Sequence, residues 1–218
     1  MFGMFRGGLK SFALLGGAAL FLVLLFHDAI AQAFRNDPVF QQSGRLVAQG
    51  QQLLRPPMMH FAPDENLERF DIEQLRQARS SVDISMYAFP DRELAQVLKQ
   101  LAAHGSVIRL YRDQGQLESE QVHSHGGHPS TTDLLRCMAN VHIRVKGGLA
   151  KDLMHQKDYC IDCVDHAGTL REGSANWSLG AERFQDNALW FTSDPRETEI
   201  YERKFEEMWN RPSNRIVQ

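Results

Sequence analysis

The chain has 218 residues, with 24 Lys+Arg against 27 Asp+Glu, and a formal charge of −3 excludes a protein that coats nucleic acid through net charge alone. At 43% hydrophobic and 23% charged residues the composition is that of an ordinary globular protein, neither disordered nor collagenous. Three cysteines, Cys137, Cys160 and Cys163, are too few and odd in number for a disulfide framework.

The first feature along the chain is an export signal pattern. Arg6 and Lys10 precede an uncharged run over residues 11–26, and Ala29, Ala31 and Ala33 follow as small residues suited to cleavage. Sixteen helical residues span about 24 Å, short of a hydrocarbon core of roughly 30 Å, which favours cleavage. Residues 29–34 would extend the run into an uncleaved anchor. Residues 1–33 are therefore expected to export the chain to the periplasm or beyond, or to attach it to a membrane through residues 11–33. Residues 34–57, rich in Gln and closed by Pro56 and Pro57, read as a tether, and a folded domain is expected over residues 58–212.

Inside that domain residues 58–61 read as a short strand, and Pro63 and Asp64 open a helix carrying Leu67, Phe70, Leu75 and Ala78. The alternation of Val82, Ile84 and Met86 predicts a strand. Leu94, Val97, Leu98 and Leu101 at helical spacing predict a helix that stops at Gly105. A strand over 107–111, a helix from Thr131 or Thr132 to Met138 and a strand over 141–145 follow. Strands over 153–161, 169–174 and 187–192 come next, and then a helix from Pro195 with Ile200, Phe205 and Trp209 on its apolar side. The recurring strand–helix–strand unit predicts an α/β fold with a mixed, largely parallel sheet flanked by helices.

The chemistry lies in the last third. On the expected strand, His155 and Lys157 are two residues apart and project from one face. Ser174 and Asn176 form a second such pair after Gly173, where a backbone or ligand can approach closely. Lys157, Ser174 and Asn176 can hold the oxygens of a phosphoryl group while a neutral imidazole attacks phosphorus or shuttles a proton. From residue types alone, a solvated strand face is an equal reading.

His155-x-Lys157-x4-Asp162, followed by Gly173-Ser174-x-Asn176, resembles the HKD signature of the phospholipase D superfamily. The similarity is to the single-copy form found in small bacterial endonucleases and the mitochondrial cardiolipin hydrolase (Zucchini) group. It extends over about residues 58–210, through Phe61-Ala62-Pro63, 72–78, 82–87 and 109–114, and is especially close over 173–178. The resemblance implies a phospholipase D-like fold with one HKD half per chain, and a phosphodiesterase that uses no cofactor or metal. It also implies a homodimer in which two copies of His155 face one phosphate, one attacking it and the other protonating the leaving oxygen. Lys157, Ser174 and Asn176 would bind phosphate oxygens. Asp162, an odd number of residues from His155, is expected to support the motif by hydrogen bonding. Asp186, where the family usually has Glu, is expected to orient the His155 imidazole.

The implied substrate is nucleic acid or phospholipid, a non-catalytic binding protein that kept the fold being the remote alternative. The short domain favours nucleic acid, as do basic residues near the motif, Lys146 and Lys151 with Arg144, Arg171 and Arg183, which are expected to line a positive groove. A membrane anchor would instead favour phospholipid. His123, His125 and His128 lie in a Gly- and Ser-containing stretch without a carboxylate or Cys at ligand spacing, so a solvated loop is expected in place of a metal site. For Cys160 and Cys163, with His166 nearby, free thiols are expected, a disulfide after export and a zinc half-site being the alternatives.

Overall fold

Eight strands form one mixed sheet in the order β1-β7-β6-β5-β2-β3-β4-β8. They are β1 (Met58–Ala62), β2 (Ser81–Met86), β3 (Val107–Arg112), β4 (Val141–Val145), β5 (Lys157–Ile161), β6 (Thr169–Gly173), β7 (Asn187–Thr192) and β8 (Arg215–Val217). The structure is a computed structural model and describes residues 58–124, 129–149, 151–165 and 168–217; the expected signal or anchor and the tether lie outside these. No helix among the described residues is long and apolar enough to cross a membrane.

The expected α/β layering is present, but the sheet is parallel only where β2 meets β3 and β3 meets β4. All other neighbours are antiparallel, which corrects the largely parallel expectation. A parallel pair needs a long crossover, and the chain supplies helical crossovers only between β2, β3 and β4. Those crossovers are α2 (Arg92–Ala103), then α3 (Gln114–His123) with α4 (Thr131–Leu135); α1 (Leu67–Leu75) precedes β2, α5 (Leu179–Arg183) precedes β7, and α6 (Pro195–Trp209) follows it. Strands β5 and β6 are joined by a short turn and pair directly, which forces opposite directions.

The local signals explain the long helices. Asp91 caps α2 by accepting from the Leu94 amide at 2.9 Å, and Leu94, Val97, Leu98 and Leu101 are buried along one side. Gly105 then turns the chain at φ +102°, a conformation glycine adopts without steric cost. In α6, Asp194 caps the start with Pro195 at the first position, and Tyr201, Phe205, Met208 and Trp209 face inward. Two clusters of buried side chains result. Leu67, Leu75, Ile84, Phe89, Leu94, Leu98 and Trp177 belong to the larger, and α6 packs Tyr201, Phe205, Met208 and Trp209 with Tyr111, Cys160 and Leu170 in the other.

Three elements differ from expectation. The strand expected over 153–161 begins only at Lys157, because its neighbour β2 ends at Met86, the partner of Lys157. Past that point only the Tyr87 amide bonds to Gln156 O, and the Met154 amide bonds instead to the Asp113 side chain. Helix α3 escapes pattern reading because Leu117 is its one buried residue. The sheet also continues past residue 212, where β8 pairs antiparallel with β4.

Cys160 and Cys163 are joined by a disulfide across 5.7 Å between Cα atoms, which overturns the free-thiol expectation. The turn after β5 brings the two side chains together inside the second cluster. Cys137 is free and exposed.

Candidate active site

The site forms where β5 begins and β2 ends. His155 is exposed just before β5, while Lys157, its first residue, is buried. The ammonium Nζ of Lys157 lies 3.0 Å from His155 Nδ1 and 2.6 Å from the His155 carbonyl oxygen, to which it donates. The two side chains thus share one side of the chain as expected, although His155 is outside the strand. Tyr87, directly after β2, closes the group: its ring lies 4.5 Å from the His155 ring and 4.9 Å from Lys157 Nζ. Gln116 donates to the Tyr87 hydroxyl at 3.0 Å.

Desolvation, and then the neighbouring Lys157 charge, holds the His155 imidazole below its ordinary pKa, with the Asp113 carboxylate opposing both. Burial likewise lowers the Lys157 ammonium, with Asp158 opposing and Arg171 adding to the shift. A neutral imidazole is the form that attacks, so this electrostatic setting suits a nucleophile.

Asn176 joins the site through the backbone of the residue after Tyr87. Its Oδ1 accepts from the Ala88 amide at 3.2 Å, which turns the amide NH2 away from that contact as a donor for an anionic oxygen. The Trp177 amide donates to Ala88 O, so both strands of this contact are pinned. Ser174 is exposed, but its hydroxyl donates to Asn187 Oδ1 at 2.8 Å and accepts from the Ala188 amide at 3.1 Å. It therefore links the motif to β7. A Cβ on Gly173 would lie 2.3 Å from the Ala188 carbonyl oxygen, so the close approach this glycine permits is that of β7.

Asp162 is at the opposite end of β5 from His155. Its carboxylate accepts from the amides of Arg79, Ser80 and Ser81 and from the Ser80 hydroxyl at 2.8 to 2.9 Å, fastening the entry to β2. These bonds hold its pKa below the ordinary aspartate value against the desolvation that would raise it. Asp162 has φ 53°, a left-handed geometry that aspartate tolerates better than most residues.

The contact expected between Asp186 and His155 is absent: among the described hydrogen bonds the imidazole pairs with Lys157, and Asp186 is exposed. Parity accounts for this, because Asn187 turns its side chain to Ser174 and consecutive residues at a strand face opposite ways. The expected positive groove is corrected as well. Arg171 is fully buried, Arg183 pairs with Glu68, and Arg144 donates to Trp209 O at 2.6 Å with its guanidinium over the Trp209 ring. Lys146 donates to Leu153 O at 3.0 Å, and Lys151 is exposed on the segment leading to His155.

Contacts that the sequence reading did not foresee support the site from beneath. Arg171 donates to both Asp71 oxygens at 3.1 Å, to Lys157 O and to Ala175 O, and the Trp177 indole donates to Asp71 at 3.0 Å. One buried ion pair thus ties α1, β5, β6 and the Ser174–Trp177 segment together, and breaking it would leave an uncompensated charge at a cost of about 3 to 5 kcal/mol. On the other side Arg112, also buried, binds Met86 O, Tyr87 O, Thr132 and Glu120, while Glu120 accepts from the Phe89 amide at 2.7 Å. This second network holds the loop that carries Tyr87. Arg112 ends β3 and Arg171 lies in the middle of β6.

Among the described residues no group of three His, Cys, Asp or Glu side chains is placed to hold a metal ion. His123 ends α3, with its Nδ1 2.7 Å from Ser119 O, and His125, His128 and His166 lie outside the described residues.

Comparison with known proteins places this geometry. The domain described as "Cardiolipin synthase, PLD-like domain" matches residues 72–209. Mitochondrial cardiolipin hydrolase of Drosophila melanogaster is 26% identical over 155 residues, 63% of this chain and 56% of that protein. Its counterpart from Chlamydomonas reinhardtii is 26% identical over 145 residues, 66% and 58% of the two chains. The chain thus spans a little over half the length of the curated relatives it matches. Among solved structures, NucT from Helicobacter pylori has TM-score 0.62 and 25% identity, covering 74% of this chain and 99% of its own. Nuc from Salmonella typhimurium, described as a phospholipase D family member, has TM-score 0.59 at 17% identity and covers 75% and 98%.

Proposed function

This chain belongs to the phospholipase D-like domain family, and from that premise we propose that it hydrolyses phosphodiesters through a phosphohistidine on His155, with nucleic acid as substrate. The observation that carries the reading is an exposed, neutral-leaning imidazole against the Lys157 ammonium, with Asn176 bonded to the backbone one residue after Tyr87, whose ring packs on that imidazole. An imidazole nitrogen of His155 attacks phosphorus, a P–N bond forms and the P–O bond to the leaving group breaks. Lys157 and Asn176 meet the charge that grows on the non-bridging oxygens.

The leaving alkoxide needs a proton, and one HKD half supplies a single imidazole. Two chains therefore pair about a twofold axis, and His155 of the partner subunit protonates the leaving oxygen, then takes a proton from water. That water attacks phosphorus, the P–N bond breaks and His155 is regenerated. Residues 1–33 export the chain or hold it at a membrane, and residues 34–57 tether the domain that begins at residue 58.

Nucleic acid is favoured by the open position of His155, which lets a continuous polymer lie across the site, and by the exposed Lys151 just before it. Phospholipid is the second reading, since Leu149 and Leu153 on that same segment are 67% and 47% exposed and would face a bilayer set against the site. Side-by-side assay of the purified chain on single-stranded DNA, RNA and cardiolipin vesicles tests the choice. Cleavage of nucleic acid is expected, and turnover of vesicles alone would reverse it. Sedimentation of the active form tests the shared site, which an active monomer would rule out.

A further inference from the structure

We propose that Asp113 is a positioning residue for this reaction, its carboxylate holding the segment that presents His155. The inference rests on the phosphodiesterase reading above. Met86 pairs with Arg112 on one side and Lys157 on the other, so the next positions, Asp113, Tyr87 and Gln156, lie in a row across the ends of β3, β2 and β5. His155 is the residue beyond that row.

Asp113 is buried and caps α3 with one oxygen, Oδ1, which accepts from the Gln116 amide at 3.0 Å. A helix cap needs no more than this. The other oxygen, Oδ2, accepts at 3.0 Å from the amide of Met154, which is 41 positions away along the chain and immediately before His155. Three residues into the same turn, Gln116 holds the Tyr87 hydroxyl, and the Tyr87 ring packs on the imidazole. One turn of helix therefore grips both the peptide preceding His155 and the ring beside it.

The charges around His155 leave this role to Asp113. Lys157, from β5, lowers the imidazole pKa and Asp113 raises it, while Tyr87 presents a phenol. Arg112, adjacent to Asp113, is committed to Glu120. Asp186 makes no contact with the ring. A carboxylate in this position favours the imidazolium that must form on whichever His155 acts as acid, and a fixed Met154 peptide favours one ring orientation.

Asp113→Ser and Asp113→Asn test this in the full chain. Serine is itself a good helix cap but lacks the charge and the reach to Met154; asparagine keeps the shape without the charge, and its one oxygen can accept from only one of the two amides, Gln116 or Met154. Both variants should stay folded with Tm lowered by about 3 to 6 °C and lower kcat about tenfold, the scale of other residues that orient a functional side chain, with KM little changed. Both limbs of the pH–rate profile, and the His155 pKa read by NMR, should move to lower pH. A folded variant with wild-type kcat and His155 titration would reduce Asp113 to a helix cap. In the unmutated chain the Met154 amide should exchange slowly with deuterium, and rapid exchange would overturn the proposal even if both variants misfold. A wild-type chain that turns over no phosphodiester would refute the reaction instead, while the His155 titration and Met154 exchange would still report on Asp113.

Discussion

Lys157 Nζ and His155 Nδ1 are 3.0 Å apart, so the cation and the nucleophile assigned to the phosphate are bonded to each other. A lysine ammonium only donates, which means that this contact occupies an imidazole lone pair. Phosphate oxygens that draw the ammonium to themselves release that lone pair in the same movement. In the proposed reaction, binding of the anion and activation of the nucleophile would thereby be coupled.

Lys157→Met removes the cation and keeps an apolar stem in a buried place. Because the lysine charge lowers the His155 pKa, the imidazole should titrate at higher pH in this variant, by NMR, while turnover falls by about two orders of magnitude. In the unmutated protein the acid limb of the rate profile should lie below the ordinary histidine value of about 6.5. A limb at or above that value would remove His155 as the free-base nucleophile.

His155→Ala and His155→Asn should abolish turnover with the fold retained, because the shared site loses attacking group and acid together. Activity of the unmutated protein should survive EDTA, since Lys157 and the Asn176 amide meet the phosphate charge. Loss of activity restored by zinc or magnesium would refute this mechanism.

Asp162→Ala should act on stability. It removes the acceptor of three amides and a hydroxyl at the entry to β2, a loss of about 2 kcal/mol or roughly 6 °C in Tm. The folded pKa is depressed, so this contribution is fully present above the unfolded value of about 3.9 and is lost as pH falls through the folded one. Thermal unfolding of both proteins between pH 3 and 7 should show the gap closing at the acid end.

Asp186→Asn should leave turnover within about twofold of wild type, because the carboxylate touches neither His155 nor the phosphate donors. A large fall in kcat with unchanged KM would return Asp186 to the site.

Glu182 is fully buried, and desolvation, reinforced by the carboxylates of Asp91, Asp71 and Glu68, raises its pKa to about 9. The folded chain holds this proton where the unfolded chain has lost it, so stability declines as pH rises from the ordinary glutamate value toward 9. Glu182→Gln should flatten that decline and raise Tm at pH 8 by about 3 °C. Equal slopes for the two proteins would mean that Glu182 is not held protonated.

The motif residues and the long amphipathic elements were legible because each carries a local signal: an i, i+2 pair, a helical stripe, a cap or a glycine. Relations between distant segments were not. Arg171 reads as a surface cation, and its burial against Asp71 depends on a partner 100 residues away. Asp186 reads as a neighbour for the imidazole until strand parity at β7, with Asn187 bonded to Ser174, turns it away. Helix α3 carries little apolar pattern, and the second role of its Asp113 cap depends on Met154, 41 positions away.

The exposed, unpaired Cys137 would let two copies of this chain be joined apart from the pairing proposed at His155. With Cys160 and Cys163 satisfied within the chain, an exposed thiol remains that air oxidation can couple to its copy in another molecule. Such a covalent pair would run at twice the mass on a non-reducing gel while saying nothing about whether two imidazoles share a phosphate. Stoichiometry measured on Cys137→Ser, or in reductant mild enough to spare the internal bond, separates catalytic pairing from cross-linking in storage.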